Sequence, residues 1–309
     1  AQALAVPELL ASPLGPAIRE IVPVILAGQG YILATFAEDY NSSQNIMPVL
    51  SRLGAISEVY QYFEHIGDVE GPLLRPIEPA IGSTIAPFVP REMAEVRRYK
   101  GKTNELFTQV LLNLAIFAGA FAGQFTDRLR ILDPLAGGGT TLFLAVAAGY
   151  DAFGIELERQ DVETTAVFVK QYLHGEHIPF KELDERGRKA GRRYQFEIGP
   201  KKATRLLVLA HGNAIQASSH MQDVPGGPRM HAVVADLPYG IQHFGEIAGL
   251  LQKALPVWAQ MLFPGGTLAL AWNATRIERA SMIELIEQHT RLKVCLLYTS
   301  DAADDLTRV

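Results

Sequence analysis

The sequence predicts an α/β fold: a doubly wound, mostly parallel sheet of the Rossmann-like kind, preceded by a small N-terminal α+β domain. Three observations predict it. Beyond residue 90, apolar runs of strand length alternate with segments of helical periodicity, the mark of βαβ units whose sheet is buried on both faces. A glycine-rich turn, Leu132-Asp133-Pro134-Leu135-Ala136-Gly137-Gly138-Gly139-Thr140-Thr141, lies directly between one such strand and its helix. Five prolines between Gly71 and Pro90 divide that region from the chain before it.

Taken in order, Tyr31–Phe36 reads as a strand. Ile46, Val49, Leu50 and Leu53 then recur at helical spacing, with Ser42 or Ser43 available as a cap and Pro48 tolerable near the first turn. Ile56, Val59, Tyr60 and Phe63 fit either a helix or a strand. Residues 1–70 are therefore expected to form the N-terminal domain, and residues 71–90 a stiff proline-rich linker whose Ile and Leu side chains lie along a surface. From residue 91 to residue 294 the expected elements are a helix over Asn104–Ala120, a strand Arg130–Leu132, the glycine turn, and a helix Thr140–Ala148. A strand Ala152–Ile155 and a helix through Tyr172 follow, then strands Leu206–Ala210 and Ala232–Ala235. A helix Gly245–Leu262, a strand Thr267–Trp272 and a helix Ile277–His289 complete the pattern.

At 309 residues, with 48% hydrophobic and 20% charged residues, the composition is that of a globular chain and excludes a disordered one. The net charge of −5 argues against a protein that coats nucleic acid through bulk charge. The most apolar stretch, Val110–Gly123, is shorter than the roughly 18–20 residues that span a bilayer, so a buried helix is expected and no membrane partner. The first residues have neither Met nor a basic segment and do not read as a signal peptide. The single cysteine, Cys295, can form neither an internal disulfide nor a thiolate zinc cluster, which points to a reducing, cytoplasmic setting. His174 and His177 lack the HExxH spacing and a third ligand, so no metal site is expected. The segment 295–309 resembles a translated sequencing-library adapter and is expected to be non-native, with the natural chain leaving this sequence after about Val294.

The glycine turn discriminates among ligand classes. It lacks the Lys that a triphosphate-binding loop needs, and Leu142 stands where a dinucleotide loop needs its third glycine. Asp133, at the strand end, would repel a pyrophosphate and suits a cation, such as the sulfonium and ammonium of S-adenosylmethionine. Glu156, at the end of the next strand, is placed to accept hydrogen bonds from ribose hydroxyls. Ala235-Asp236-Leu237-Pro238-Tyr239-Gly240 closes a further strand and so lies beside the turn. A base amino group is a poor nucleophile because its lone pair is delocalised into the ring. The Asp236 carboxylate and the Pro238-side backbone carbonyl could accept its two N–H bonds and free that lone pair. Tyr239 could stack on an extruded base, an interaction worth roughly 1–3 kcal/mol.

Together, LDPLAGGGTT, GIE and DLPYG resemble the class I S-adenosylmethionine-dependent amino-methyltransferases, and among them the tRNA guanosine-N2 methyltransferases and related RNA methylases. The resemblance covers about Arg91–Val294. It implies that Asp133, Ala136, Gly137 and Gly139 contact the methionine part of the cofactor, with Pro134 in the same loop and Glu156 on the ribose. Asn213, followed by Ala214, matches the position beside adenine, where the family more often has Asp. Thr103 and Asn104, in Tyr99-Lys100-Gly101-Lys102-Thr103-Asn104, match the segment that closes over the methionine carboxylate. Asp236 then belongs to both the cofactor and the catalytic sets, with Pro238 and Tyr239 as its catalytic neighbours. The resemblance also leads us to expect two final strands, whose place here is taken by the suspect tail.

Basic charge is concentrated in two segments, Arg91–Lys102 and the insertion 181–205, as phosphate binding requires. Arg188, Lys189, Arg192 and Arg193, interleaved with Tyr194 and Phe196, are the candidate nucleic-acid-binding residues; a solvated helix face and a polar hairpin is the plainer reading. The sequence thus supports RNA N-methylation, with tRNA as partner and the N-terminal domain gripping it. Two alternatives stay open: adenine-N6 methylation of DNA, and a non-catalytic cofactor-binding partner subunit.

Overall fold

The computed structural model describes residues 2–37, 46–77, 84–99, 101–183, 192–237 and 244–295. Helix α1 (Gln2–Ala11) leads into the hairpin β1 (Ile18–Leu26) and β2 (Gln29–Phe36), a short α2 (Ile46–Leu50), and a second hairpin, β3 (Tyr60–Ile66) and β4 (Val69–Pro76). Helices α3 (Glu92–Val96) and α4 (Glu105–Phe117) precede the main sheet. That sheet is built from β5 (Arg130–Asp133), α5 (Thr140–Ala147), β6 (Asp151–Glu156), α6 (Arg159–Gly175), β7 (Phe180–Leu183), β8 (Arg193–Ile198) and β9 (Arg205–His211). It continues through α7 (Ala217–Met221), β10 (Met230–Asp236), α8 (Phe244–Met261), β11 (Leu262–Ala271) and α9 (Arg279–His289).

The seven strands run in the order β11-β10-β5-β6-β9-β8-β7. The first five are mutually parallel, and β8 and β7 are antiparallel additions at one edge. Successive residues of a strand face opposite sides of its sheet, and here each side has its own helix layer. Ile131, Ala152, Leu207, Leu209, Ala232 and Val234 join α4, α5 and α6 in one core. Their neighbours Leu132, Phe153, Val208, Ala210, Val233 and Ala235 join α7, α8 and α9 in another. This is the doubly wound α/β architecture that the alternating pattern predicts. Among the described residues no helix is long and apolar enough to cross a membrane; the apolar run from Val110 is the buried side of α4.

The chain before residue 91 departs from the expected division. The border at 70/71 falls inside β4, which pairs with β3 from Val69 to Pro76. Leu9, Leu14, Val49, Leu50 and Leu53 belong to the same core as Leu112 and Ala115 of α4. Two buried charged groups fasten this junction. The Glu8 carboxylate accepts the Gly54 and Ala55 N–H groups, each at 2.8 Å, and the Asn113 amide at 2.7 Å. The Arg52 guanidinium donates to the carbonyls of Ala148 (2.6 Å) and Phe125 (3.2 Å) and to the Tyr150 hydroxyl (3.1 Å). Buried charges persist only where hydrogen-bonded, and these bonds make α1 and α2 part of the main body, leaving the two hairpins as the outlying structure. The Ile56–Phe63 pattern resolves as a strand from Tyr60 onward. In the proline-rich segment, Val89 is buried and the Phe88 N–H bonds the Ala147 carbonyl at 2.8 Å.

The insertion 181–205 also differs from a helical face. Its described part completes β7 and forms β8, which pairs with β9 from Arg193↔Ala210 to Ile198↔Arg205. Ser42, Ser43, Arg188, Lys189, Pro238, Tyr239 and the segment 296–309 lie outside the described residues.

Candidate functional site

Strands β10, β5 and β6 are central neighbours and parallel, so Asp236, Asp133 and Glu156 end three adjacent strands on one edge of the sheet. That carboxyl edge is where open α/β sheets hold ligands. Glu156 is also in register with His211, the last residue of β9, which Gly212, Asn213 and Ala214 follow.

The glycine turn lets the chain reverse from β5 into α5. Gly137 and Gly139 take left-handed φ values of 50° and 92°, which a side chain would strain. The Ala136 N–H donates to the Ile155 carbonyl at 2.9 Å, and the Gly139 N–H to the Ala136 carbonyl at 2.8 Å. Glu156 ties the turn to β6: one carboxylate oxygen accepts the Gly137 N–H at 2.8 Å, the other the Glu158 N–H at 2.7 Å. A carboxylate has about four acceptor sites, so acceptor capacity remains for two hydroxyls of a ligand.

Asp133 is 3% exposed. It accepts the Leu135 N–H at 3.0 Å and a hydrogen bond from Thr141. Burial raises its pKa to about 7 against these two bonds, and the nearby charges of Asp236 and Glu156 push the same way. Three carboxyl groups thus crowd one strand edge, and the innermost is held near half-protonation at neutral pH. A ligand bearing positive charge relieves that crowding; an anionic one adds to it.

A strap, described over residues 97–99 and 101–104, crosses this edge. Arg97 donates to the hydroxyls of Thr164 (3.1 Å) and Thr165 (3.3 Å) on α6. The Tyr99 hydroxyl bonds Thr140 at the start of α5 at 2.7 Å. Its ring lies so close on Gly138 that a Cβ there would stand 2.4 Å from ring carbons. Burial raises the Tyr99 pKa, so its hydroxyl stays protonated. Thr103 donates to Asp236 Oδ2 at 2.5 Å. Asn104 caps α4 by accepting the Phe107 N–H at 3.1 Å. Of the two strap residues expected on a cofactor carboxylate, one is bonded to Asp236 and the other is a helix cap.

Asn213 is likewise engaged by its own loop. Its Oδ1 accepts the Ile215 N–H at 3.0 Å and starts a short 3-10 turn. Ala214 is buried, and its carbonyl accepts the Trp258 indole N–H at 3.0 Å, which fixes this loop against α8. The basic candidates divide. Arg192 is half exposed, pairs with Glu163 at 2.9 Å and lies over the Tyr194 ring at 4.9 Å. Arg193 does not face solvent. It is 8% exposed and donates to the His220 carbonyl at 3.0 Å and to Asp223 at 2.7 Å. Its expected phosphate role is therefore corrected to a structural one: β8 turns it towards α7, which covers that face.

Four contributors are absent from the residues expected on sequence grounds. Tyr99 roofs the glycine turn; an aromatic just before the basic Lys100-Gly101-Lys102 run is the only signal for it. Thr140 and Thr141 supply hydroxyls to Tyr99 and Asp133. Leu157, 61% exposed directly after Glu156, offers an apolar surface beside the strand-end carboxylate.

No family model matches the chain, and no curated protein matches it. Among solved structures it is similar to the crystal structure of TehB from Haemophilus influenzae. The identity is 13%, the TM-score 0.27, and the match spans 48% of this chain and 37% of that one, too remote to carry an argument.

Proposed function

We propose that this chain is an S-adenosylmethionine-dependent N-methyltransferase acting on an exocyclic amino group of a base in RNA, with tRNA guanosine N2 as the target. One observation carries the reading. A buried, near-neutral Asp133 and two further carboxyl groups end adjacent strands around a glycine turn, and Asp236 opens the sequence Asp236-Leu237-Pro238-Tyr239.

The residues present fit such a cofactor. Asp133 and the turn formed by Pro134, Ala136, Gly137 and Gly139 would take its methionine part, Glu156 its ribose, and Asn213 with Ala214 its adenine. Bound there, S-adenosylmethionine supplies a methyl group on a positively charged sulfur. The chain's own work is electrostatic and positional. Asp133, once ionised, offsets the positive charge. Asp236 accepts an N–H of the acceptor and so favours a nitrogen with a free lone pair. Holding donor and acceptor about 3 Å apart supplies much of the rate. Arg188, Lys189 and Arg192 would contact RNA phosphates.

The test is methyl transfer from labelled donor to under-modified bulk tRNA and, separately, to unmethylated DNA. Label in guanosine N2 of tRNA is the expected result. Label in DNA alone replaces the substrate, and donor binding without transfer to either leaves a partner subunit.

A further inference from the structure

We propose that Thr103 is the positioning residue of the acceptor side: its hydroxyl fixes the Asp236 carboxylate in the orientation that receives the base amino group. The inference rests on the methyltransferase reading above and assigns Thr103 away from the cofactor.

The geometry is direct. Thr103 Oγ1 donates to Asp236 Oδ2 at 2.5 Å. Both ends are held by stiff elements. Asp236 closes β10, which is flanked by β5 and β11. Thr103 precedes Asn104, the cap of α4, and α4 buries Leu112, Ala115 and Ile116 in the core. On its other side the strap is bonded to Thr164 and Thr165 through Arg97 and to Thr140 through Tyr99.

Chemistry then separates two roles for this hydroxyl. A threonine hydroxyl carries one proton. Given to Asp236, that proton is not available to a carboxylate of the donor, and such a carboxylate beside Asp236 would be repelled. An aspartate carboxyl turns in a broad, two-fold torsional well, so a donor on one oxygen sets the plane of both. Threonine is itself restricted at χ1 by its β-branch, which makes it a stiff point of attachment. The strap thereby links the turn on the donor side to the carboxylate on the acceptor side.

The experiment compares Thr103→Val and Thr103→Ser with the unaltered full chain, using labelled methyl donor and under-modified bulk tRNA, with donor affinity by calorimetry and melting temperature as controls. Thr103→Val, isosteric but lacking the donor, is expected to lower kcat about 10- to 100-fold. Its donor Kd should stay within about 2-fold, and Thr103→Ser should recover most of the loss because it restores the hydroxyl. A rise in donor Kd at unchanged kcat overturns the assignment and returns Thr103 to the cofactor. Equal loss in both variants overturns it as well, since the hydroxyl is then not the cause. If the unaltered chain binds donor but methylates no nucleic acid, the underlying reading fails, and this proposal with it. Activity that Thr103→Val leaves untouched sinks the proposal alone.

Discussion

Asp133 offers a test that reads the site without knowing the acceptor. A carboxyl raised from an ordinary 3.8 to about 7 is costly to ionise in the folded chain, by about 4 kcal/mol at 1.36 kcal/mol per pKa unit. Because the folded pKa lies above the unfolded one, the folded state binds the extra proton between these values. Stability is therefore fully present below about pH 4 as far as this group is concerned, and it is lost progressively as pH rises towards 7. A cationic ligand reverses the preference and draws the proton off. Donor affinity should then be flat above pH 7 and fall about tenfold per unit below it, or about a hundredfold by pH 5.

Calorimetry in two buffers of different ionisation enthalpy measures the proton count directly. Close to one proton should be released per donor bound at pH 5.5, and about half of one at pH 7. Asp133→Asn removes the charge and keeps the shape. It should weaken donor binding, abolish the pH dependence, and raise the melting temperature of the ligand-free chain at pH 8, where the unaltered carboxylate is ionised and buried. Donor affinity that does not vary between pH 5 and pH 8, with no proton released, would refute the argument that Asp133 is the cation's partner.

Three further outcomes are expected. Gly138→Ala places a Cβ 2.4 Å from the Tyr99 ring; the ring must lift, and the melting temperature should fall more than in Tyr99→Phe, which loses only the bond to Thr140, worth about 1 kcal/mol. Glu8→Ala leaves the Gly54 and Ala55 N–H groups and the Asn113 amide short of an acceptor; urea titration should show a loss of about 3 kcal/mol, and an unchanged midpoint would mean that α1 is not part of the cooperative core. Arg193→Ala should cost about 1–2 kcal/mol of stability, because it removes the buried bond to the His220 carbonyl and the packing of the guanidinium. Arg192→Ala should instead leave stability nearly unchanged and reduce the slope of tRNA affinity against log salt by about one.

What could be read from the sequence follows from where polar groups end up. Strands such as Leu206–Ala210 and Ala232–Ala235 are continuous apolar runs because both faces of a parallel strand are covered, and the glycine turn is legible because only glycine takes its φ values without strain. The polar strand β8 hid its own burial. Phe196 and Ile198 reach one core, but Arg193 and Gln195 alternate onto the other face, which looks solvated until α7 is laid over it. Glu8 and Arg52 carry no local signal of their burial: only the distant partners Asn113, Ala148 and Tyr150 make them fasteners of the main body. Charge also bears on where RNA would lie. Through residue 76 the chain has three Arg and no Lys, namely Arg19, Arg52 and Arg75, against eight Asp and Glu. Arg52 is buried on carbonyls and Tyr150; the first hairpin balances Arg19 against Glu20, and the second sets Glu64, Asp68 and Glu70 against Arg75 and is acidic, with Ile66 and Val69 exposed. The acidic second hairpin is a poor surface for a phosphate backbone. Phosphate contact is better sought at Arg98, exposed beside the bonded Arg97, and at the β7–β8 edge, both joined to the strand ends where the base would have to enter.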